Sequence, residues 1–345
     1  MSTLLSIVVP CYQAAGYMRR SLDSLLPGGR APRGVEILVV DDGSRDETGE
    51  IADAYAARFP GVVRALHQEN KGHGGAINTG LAAARGRYVK IVDADDWLDV
   101  DAYLSLLTAL ADLDSDVCEV DLVVTNFVYE KVDRRRPVAV RYGDVLPEGR
   151  VFGWDEVGRF RKRQYMLMHS LVYRRELLLQ TGLVLPEHTF YVDNLYAYLP
   201  LRSVRSMYYL DVDLYRYYIG RPGQSVNEAV MLARVDQQLA VNRAMLPALD
   251  AARKDPHAPK AMRRYLLHYF EIVSAVSSIL LIRAGSEAAL AKKEAFWREL
   301  REEDEWLYRR LRRSVIGQIT NLPGRPGRRV SVLAYKAAQW AVGFN

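Results

Sequence analysis

The chain has little cysteine, and this scarcity excludes several classes of protein. Its 345 residues include two cysteines, Cys11 and Cys118, which are too few for a disulfide framework or a cysteine-ligated zinc site. Cys11 lies in an apolar, strand-like run, which favours a buried free thiol over a catalytic one. The 24 glycines and 14 prolines are too few for a collagenous or low-complexity chain. We therefore expect a globular protein from a reducing compartment.

Long apolar segments are also missing. The first 18 residues have no lysine or arginine, and Pro10, Gln13 and Gly16 interrupt their apolar run, so they predict a strand and a loop and not a signal peptide. The longest later apolar run, 272–282, is shorter than the roughly 20 residues that cross a bilayer. From these two absences we expect a soluble, cytoplasmic protein.

Acidic residues are absent from the end of the chain. No aspartate or glutamate follows Glu305, whereas seven arginines and one lysine do. Such an end would suit anionic lipid, a polyanionic partner or only solvent. Together with the apolar run 330–342 it would suit peripheral contact with the inner face of a cell membrane. The basic run has no aromatic residues at base-stacking spacing, so we expect no nucleic-acid partner.

The first third of the chain alternates short apolar runs with helical patterns. Strands separated by helices, about 30 residues apart, predict right-handed crossovers and a mostly parallel sheet. The four runs that predict strands are 5–9, 35–40, 62–66 and 88–92.

Three local patterns refine this prediction. Ser44 with Glu47 forms a capping-box pattern that would open the second helix, and 70–75 predicts a loop. Further on, 228–313 is helical in pattern, and the glycine- and proline-rich run 324–327 predicts a linker.

Two of the predicted strands end in carboxylates. Asp41 and Asp42 follow the second strand, and Asp93, Asp95 and Asp96 follow the fourth. Ligands of parallel sheets bind beyond the carboxyl ends of the strands. Converging carboxylates repel each other unless a cation or a hydrogen-bonding ligand lies between them, and oxygen ligands suit Mg²⁺ or Mn²⁺. The alternative is that these are solvated turn residues or helix caps.

Five segments, in their order and spacing, resemble the donor-binding half of a family-2 glycosyltransferase of the GT-A fold. The resemblance is strong over 5–99 and fair to about residue 220. The segments are 6–12, 39–48, 70–72, 84–88 and 93–96.

The resemblance implies an α/β fold. We expect a GT-A type nucleotide-sugar-binding domain over 1–225, with a mostly parallel central sheet flanked by helices, and a mainly helical region over 226–345. The donor-binding half would be 1–99 and the acceptor half 100–225. The activity implied is that of an inverting, non-processive enzyme. It would transfer a sugar from a nucleotide-diphosphate donor, with a UDP-sugar expected first, to a hydroxyl of a glycan, a lipid-linked or a polysaccharide-precursor acceptor.

The resemblance also implies roles for single residues at the donor site. Asp42 would bind the nucleobase edge and Asp41 would support its loop, while Asp93 would contact the ribose. Asp95, with Asp93, would hold Mn²⁺ or Mg²⁺ on the diphosphate, and an alignment shifted by one would bring in Asp96. The remaining nucleotide-sugar-binding residues would be Pro10, Tyr12, Lys71, Gly72, His73 and Ala94.

The general base that the resemblance implies is Asp193. It follows Val192, which stands where the family usually has glutamate, and the alternative role for Asp193 is a helix N-cap. Glu187 is the fallback candidate for the base. The arginine that many relatives carry in the donor loop, here residues 70–78, is missing. Candidates to neutralise the diphosphate in its place are Lys71, Lys90 and Arg221, the last in a lid or plain turn with Gln224 and Ser225.

Other functions fit less well. Nucleotidyl transfer would need a glycine-rich phosphate loop after the first strand, which the sequence lacks there. A phospho-acceptor receiver domain would leave 93–96 without a role. The main alternative is a non-catalytic nucleotide-sugar-binding or scaffold protein of glycan assembly. The helical region would suit an acceptor platform, a membrane contact or a homo-oligomer interface.

Overall fold

The computed structural model describes residues 3–115, 119–132, 137–162, 164–220 and 224–342. The chain divides into two compact units. We call the first, Met1–Arg159 with Met166–Ile219 and Pro259–Ala261, the sheet unit. The second, Phe160–Tyr165 with Gly220–Ala258 and Met262–Asn345, is the helical unit.

Ten strands form one sheet in the sheet unit. They are β1 (Leu5–Cys11), β2 (Val35–Asp41), β3 (Val63–His67), β4 (Tyr88–Ile91), β5 (Trp97–Leu98), β6 (Leu122–Lys131), β7 (Val138–Val140), β8 (Val151–Phe152), β9 (Leu171–Arg174) and β10 (Met207–Ile219).

Six helices belong to the sheet unit. They are α1 (Met18–Leu25), α2 (Thr48–Arg58), α3 (Gly72–Ala83), α4 (Val100–Ser115), α5 (Arg175–Gln180) and α6 (Asp193–Tyr198). Seven more follow along the chain: α7 (Glu228–Ala233), α8 (Val235–Lys254), α9 (Lys260–Ala284), α10 (Glu287–Glu303), α11 (Glu305–Arg313), α12 (Val315–Thr320) and α13 (Gly324–Val342).

The strand order is β3-β2-β1-β4-β9-β6-β10-β5, with β7 beside β6 and β8 beside β10. The first four strands are parallel, as predicted, and every residue of β1 and β2 is buried because helices cover both faces. The later strands make the sheet mixed: β9 is antiparallel to β4 and to β6, whereas β10 is parallel to β6. The predicted α/β class with a helical C-terminal region is confirmed.

Three local predictions were wrong. Ser44 does not cap α2, which begins at Thr48 and whose first amide donates to Asp46 Oδ1 (3.1 Å). The predicted loop 70–75 is largely helix, since α3 begins at Gly72. The predicted linker 324–327 is the first turn of α13, a position where proline is tolerated because its missing N–H has no helical partner there.

The buried free thiol predicted for Cys11 is confirmed, and burial raises the pKa of that thiol. Cys118 lies outside the described residues. One helix, α9, is long and apolar enough to cross a membrane by length and composition. Two thirds (67%) of its most apolar window is buried inside the protein, a pattern that the core helix of a soluble protein also shows.

Candidate functional site

The ends of β1, β2 and β4 bring the predicted acidic residues to one edge of the sheet. Cys11 is paired with Asp41 across β1 and β2, and Ile91 is paired with Val8 across β4 and β1. Asp93 therefore stands two residues beyond Ile91, level with Pro10. The parallel register explains why two clusters some 50 residues apart in sequence lie at the same edge.

Asp42 holds the donor loop by its carboxylate. It is almost fully buried, and it accepts hydrogen bonds from the amides of Lys71 and Gly72 (both 2.8 Å) and from Gln68 Nε2 (2.6 Å). These contacts satisfy amides at the start of α3, which otherwise lack helical partners. A residue 30 positions earlier in the chain therefore satisfies the first amides of this helix. The lone pairs of the Asp42 carboxylate that remain would be used for a contact with a nucleobase.

The glycines of the donor loop allow a second segment to pack against it. A Cβ on Gly72 would lie 2.8 Å from the amide nitrogen of His188, and a Cβ on Gly74 would overlap the carbonyl oxygen of Pro186. The His188 amide also donates to the Lys71 carbonyl (2.8 Å), and Asn78 bonds both the amide and the carbonyl of Leu185. This packing fixes the segment that leads into Asp193.

His73 joins the donor loop to residues 93–96 after β4, which we call the acidic turn. Its Nε2 lies 2.9 Å from Asp93 Oδ1. Burial opposes a charge on His73, but the hydrogen bond to Asp93 and the nearby charges of Asp93, Asp193 and Asp95 outweigh it, so the pKa of His73 is raised. Burial would raise the pKa of Asp93, but the hydrogen bond and the charge of His73, with the hydrogen bond of Tyr215, together outweigh it, so the pKa of Asp93 is lowered. The two groups therefore favour an ion pair.

Asp193 lies close enough to this pair for both charges to act on it. Burial raises the pKa of the Asp193 carboxyl and the charge of Asp93 adds to this, while His73 opposes it. Asp193 is the first residue of α6, and the N-cap position belongs to Val192, with no side-chain cap. Val192 is fully buried, which suits an apolar residue where glutamate was expected. Tyr191 before it has a positive φ of 66°, a strained conformation often found at functional sites.

Asp96 faces inward from the acidic turn. Its Oδ2 accepts from the Tyr215 hydroxyl (2.6 Å) and its Oδ1 from the Tyr218 amide (2.8 Å). The Asp93 amide donates to the same Tyr215 hydroxyl oxygen (3.1 Å). Burial and the charges of Asp95 and Asp93 raise the pKa of Asp96 well above its ordinary value. Strand β10 thus braces the turn, and a cation nearby would relieve the repulsion among its carboxylates.

His169 and Lys90 form a buried layer beside the turn. His169 stacks on Tyr215 at 4.5 Å between ring centroids, and its Nδ1 has no hydrogen-bond partner among the described residues. Burial lowers the pKa of His169 to about 4, so its imidazole is neutral and offers a lone pair. Lys90 donates to the His169 carbonyl (2.8 Å), and burial lowers its pKa to about 7. Lys90 is fully buried, which leaves it poorly placed to neutralise a diphosphate.

The residues present fit a divalent metal. Within the described part of the chain, ligand atoms of Asp93, Asp96 and His169 lie within 4.8 Å of one another. Carboxylate and neutral imidazole are suitable ligands for Mn²⁺. Asp95, the metal ligand expected from sequence, is half-buried in the same turn but outside this group. Asp93 is therefore common to both candidate sets.

The other predicted residues are placed as follows. Asp41 accepts from the Ser44 amide (3.1 Å) and lies 3.2 Å from His67 Nδ1, so it does brace its loop. Tyr12, just after β1, is 55% exposed, so its ring is accessible to a nucleobase. Lys71 lies 3.8 Å from Glu187, the fallback base. The remaining residues are Pro10 and Ala94, both buried in the sheet unit; Gln224 and Ser225, which belong to the helical unit; and Arg221, which lies outside the described residues.

Sequence reasoning missed Tyr215 as a site residue. This side chain touches the acidic turn from about 120 residues away, and no local spacing reveals such a contact. Tyr215, Tyr217 and Tyr218 form a run of aromatic residues in the sequence, but such runs are more often core. The available signal was the alternation of side chains along strand β10, which places Tyr215 and Tyr217 on the same face. His169 packs against this face.

Comparison with known proteins supports the resemblance. Residues 6–173, just under half of the chain, match the family model described as Glycosyl transferase family 2. The chain is 33% identical over 223 residues to the uncharacterized glycosyltransferase EpsJ of Bacillus subtilis (strain 168). This alignment covers 63% of this chain and 61% of that protein. The chain thus spans about three fifths of the length of the curated relatives that it matches.

Solved structures show the fold. A crystal structure of S. aureus TarS 1-349 in complex with UDP-GlcNAc is similar over 89% of this chain and 92% of that one, with a TM-score of 0.51 and 20% identity. The mannosyltransferase PcManGT from Pyrobaculum calidifontis, in complex with GDP-Man and Mn²⁺, is similar over 98% and 88%, with a TM-score of 0.50 and 18% identity. The predicted GT-A fold is confirmed.

Proposed function

We propose that this glycosyltransferase is inverting and moves a sugar from a nucleotide-diphosphate donor, most simply a UDP-sugar, to an acceptor hydroxyl. The acceptor would be a glycan, a lipid-linked glycan or a polysaccharide precursor, and the reaction would take place in the cytoplasm. The observation that carries the proposal is the position of Asp193, whose carboxyl lies beside the His73–Asp93 pair with a raised pKa.

In this mechanism Asp193 is the general base. Its carboxylate takes the proton of the acceptor hydroxyl as the oxygen attacks the anomeric carbon, while the nucleoside diphosphate leaves from the opposite side. A base is most effective when its pKa is near the working pH, which burial favours at Asp193. Its other candidate role is at the start of α6, where Asp193 is the first helical residue and Val192 holds the N-cap position without a side-chain cap.

The donor site would lie at the sheet edge. Tyr12 and Pro10 would frame the base, Asp42 would hold the donor loop and meet the base edge, and Asp93 would face the ribose. His73 would present a positive charge near the diphosphate, in the loop where the usual arginine is missing. A structure of similar fold that binds GDP-Man with Mn²⁺ supports a metal-dependent donor site.

A divalent ion would be held by Asp93 with Asp95, and Asp96 with His169 would be the alternative partners. When bound, the ion would act as a Lewis acid on the leaving nucleoside diphosphate. Lys71 would be the exposed cation of the donor loop, and Gly72 allows the close approach of backbone that this loop needs. Arg221, Gln224 and Ser225 are proposed as a lid.

Calorimetric titration tests the proposal. UDP, GDP and their common sugar conjugates would be titrated with and without Mn²⁺ into wild type and Asp95→Ala. We expect metal-dependent binding of one nucleotide class, lost in the variant. Incubation of the bound donor with candidate acceptors then measures transfer. Donor binding without any transfer or donor hydrolysis would support the non-catalytic alternative, and no binding at all would contradict a donor site.

A further inference from the structure

The helical unit contains a cavity that the proposed transfer reaction does not use. Its volume is about 470 Å³, which lies within the range of small-molecule sites. Helices α10, α11 and α13 and the turn after α12 supply its walls. Five basic side chains line it against a single acidic one, Glu294; the basic residues are Lys293, Arg298, Arg301, Arg312 and Arg328.

Four of these five cations have no carboxylate partner among the described residues. Six other basic residues of the helical unit are paired: Arg243 with Glu299, Arg253 with Asp304, Arg283 with Glu228, Lys254 with Asp250, Lys292 with Asp236 and Arg309 with Glu305. Among the described residues, no carboxylate lies within 4.0 Å of Lys293, Arg298, Arg312 or Arg328, and Arg301 reaches Glu305 only at 4.0 Å.

Lys293 is a half-buried member of this group whose charge has no carboxylate partner among the described residues. Its Nζ donates to Asn321 Oδ1 at 2.8 Å, a neutral acceptor that leaves the charge uncompensated. Burial, with the charges of Arg312 and Arg328, lowers the pKa of Lys293 to about 8, and Glu294 offsets this only in part. A half-buried ammonium held against two guanidiniums costs free energy unless an anion joins it.

Aromatic rings hold two of the guanidiniums at the cavity. The Arg312 guanidinium carbon lies 5.9 Å from the Trp297 ring centroid, and that of Arg301 lies 5.8 Å from the Tyr308 ring. Trp297 is itself fixed by a hydrogen bond from its Nε1 to Ser278 Oγ (3.1 Å). Arginine that stacks on a ring keeps its donors free, and its planar fork matches the oxygens of phosphate.

We propose that this cavity is a binding site for a phosphate- or pyrophosphate-bearing ligand, with Lys293, Arg312 and Arg328 as its main contacts. Five clustered cations with a single acidic residue among them, in a cavity larger than one phosphate, suit a multiply charged phosphoryl group with a further group attached. The phosphoryl group belongs either to a free soluble compound or to the headgroup of an anionic lipid.

The test uses the full-length chain without divalent metal, so that the donor site contributes little. Inorganic pyrophosphate is titrated by calorimetry into wild type, into Lys293→Gln/Arg312→Gln, and into Arg310→Gln. Arg310 is an exposed arginine of α11, the helix of Arg312, and it does not line the cavity, so its variant controls for the loss of a positive charge outside the cavity. We expect saturable binding to wild type and Arg310→Gln, and binding weakened about tenfold or more in the double variant, because each charged hydrogen bond is worth about a factor of ten.

A second arm distinguishes the two sources. Wild type and the double variant are sedimented with phosphatidylglycerol vesicles, in the presence and absence of pyrophosphate. The ligand is a lipid headgroup if wild type sediments with the vesicles, if pyrophosphate releases it, and if the double variant stays in solution. Pyrophosphate binding without sedimentation shows a free ligand. Binding of neither probe, or equal losses in Arg310→Gln and the double variant, overturns the proposal.

Two controls keep the result interpretable. Thermal melts check that the double variant is folded, and Arg328→Gln, which changes a separate helix, serves as a second variant if it is not. Nucleotide binding with Mn²⁺ is measured on the same samples. We expect it to be unchanged, so that failure of the cavity and failure of the donor site are separate outcomes.

Discussion

The two units of the chain each gather like charges, but they compensate them differently. In the sheet unit, the carboxylates of the acidic turn receive internal donors: His73 on Asp93, and Tyr215 with the Tyr218 amide on Asp96. In the helical unit, the cavity cations have Asn321 as their one hydrogen-bonded acceptor among the described residues. The first site is therefore organised before a ligand binds, whereas the second has charge left for a ligand to neutralise.

Paired charges in the same protein show what a structural role looks like. Arg174 is largely buried against Asp121, which also accepts from the amides of Arg205 and Ser206. Arg216 bridges Asp99 and Glu130. Such groups are satisfied from both sides and need no ligand. The contrast separates buried charges that hold the fold from those that mark a site.

The strongest expected effect is on the proposed base. Asp193→Asn keeps the size of the side chain but cannot take the proton, so we expect transfer to fall about 10²–10⁴-fold while donor affinity is kept. Steady-state kinetics with calorimetry of the donor measures both. Glu187→Gln is the matched control and should retain activity. Loss of activity in Glu187→Gln with retention in Asp193→Asn would assign the base to Glu187.

The pH profile sharpens the same assignment. Because the pKa of Asp193 is raised by burial and by the charge of Asp93, the carboxyl takes up its proton at a higher pH than an exposed aspartate does. As the pH falls through that raised pKa, the base is protonated and kcat should fall, with its acid limb above the ordinary pKa of an exposed aspartate, about 3.9. A kcat that stays constant down to that ordinary value would contradict this role.

The acidic turn offers the next test, since two sets of metal ligands compete there. We expect Asp95→Asn to abolish Mn²⁺-dependent donor binding. We expect Asp96→Asn, which changes a carboxyl already held by Tyr215 and Tyr218, to weaken it about 10–100-fold, as loss of a supporting group does. Calorimetry with Mn²⁺ measures both variants. Unchanged binding in Asp95→Asn together with complete loss in Asp96→Asn and His169→Gln would assign the metal to the other set.

A smaller effect is expected from the packing of the donor loop. In Gly74→Ala the new Cβ overlaps the Pro186 carbonyl, so we expect unfolding free energy to fall by about 1–3 kcal/mol. Gly16→Ala is the matched control, since a Cβ there meets nothing within 4 Å. Chemical denaturation of both variants measures the difference. Equal stabilities would show that the segment before Asp193 moves away at no cost.

The smallest effect concerns His67. Hydrogen bonds to Asp53 and to Asp41 raise its pKa above the unfolded value of about 6.5. The charged form is therefore favoured in the folded state, and its contribution to stability is complete below about pH 6.5 and is lost as the pH rises through the raised pKa. His67 is half exposed, so we expect a small slope in melting temperature across this window, absent in His67→Gln. An identical slope in the variant would contradict it.

Features of the fold and site that depend on neighbouring residues could be predicted from the sequence, whereas those that depend on contacts between distant residues could not. The buried strands and their terminal aspartates were predictable because continuous apolar runs and carboxylates are local patterns. The start of α3 was not, because its amides are satisfied by Asp42, some 30 residues earlier. The capping box at Ser44 failed for a related reason: that hydroxyl accepts from the Gln13 amide (3.0 Å), and Asp46 serves the helix instead.

The sequence by itself determined the alternation of strands and helices, the acidic edge, the resemblance to family-2 glycosyltransferases and Asp193 as a candidate base. Each of these follows from residues within a few positions of one another, or from short motifs in a set order. Only the tertiary structure decided that Tyr215 braces Asp96, that glycines let the segment before Asp193 meet the donor loop, and that Lys293 meets Arg312 and Arg328. Those contacts join distant parts of the chain, and packing and the burial of charge, which no local pattern encodes, select them.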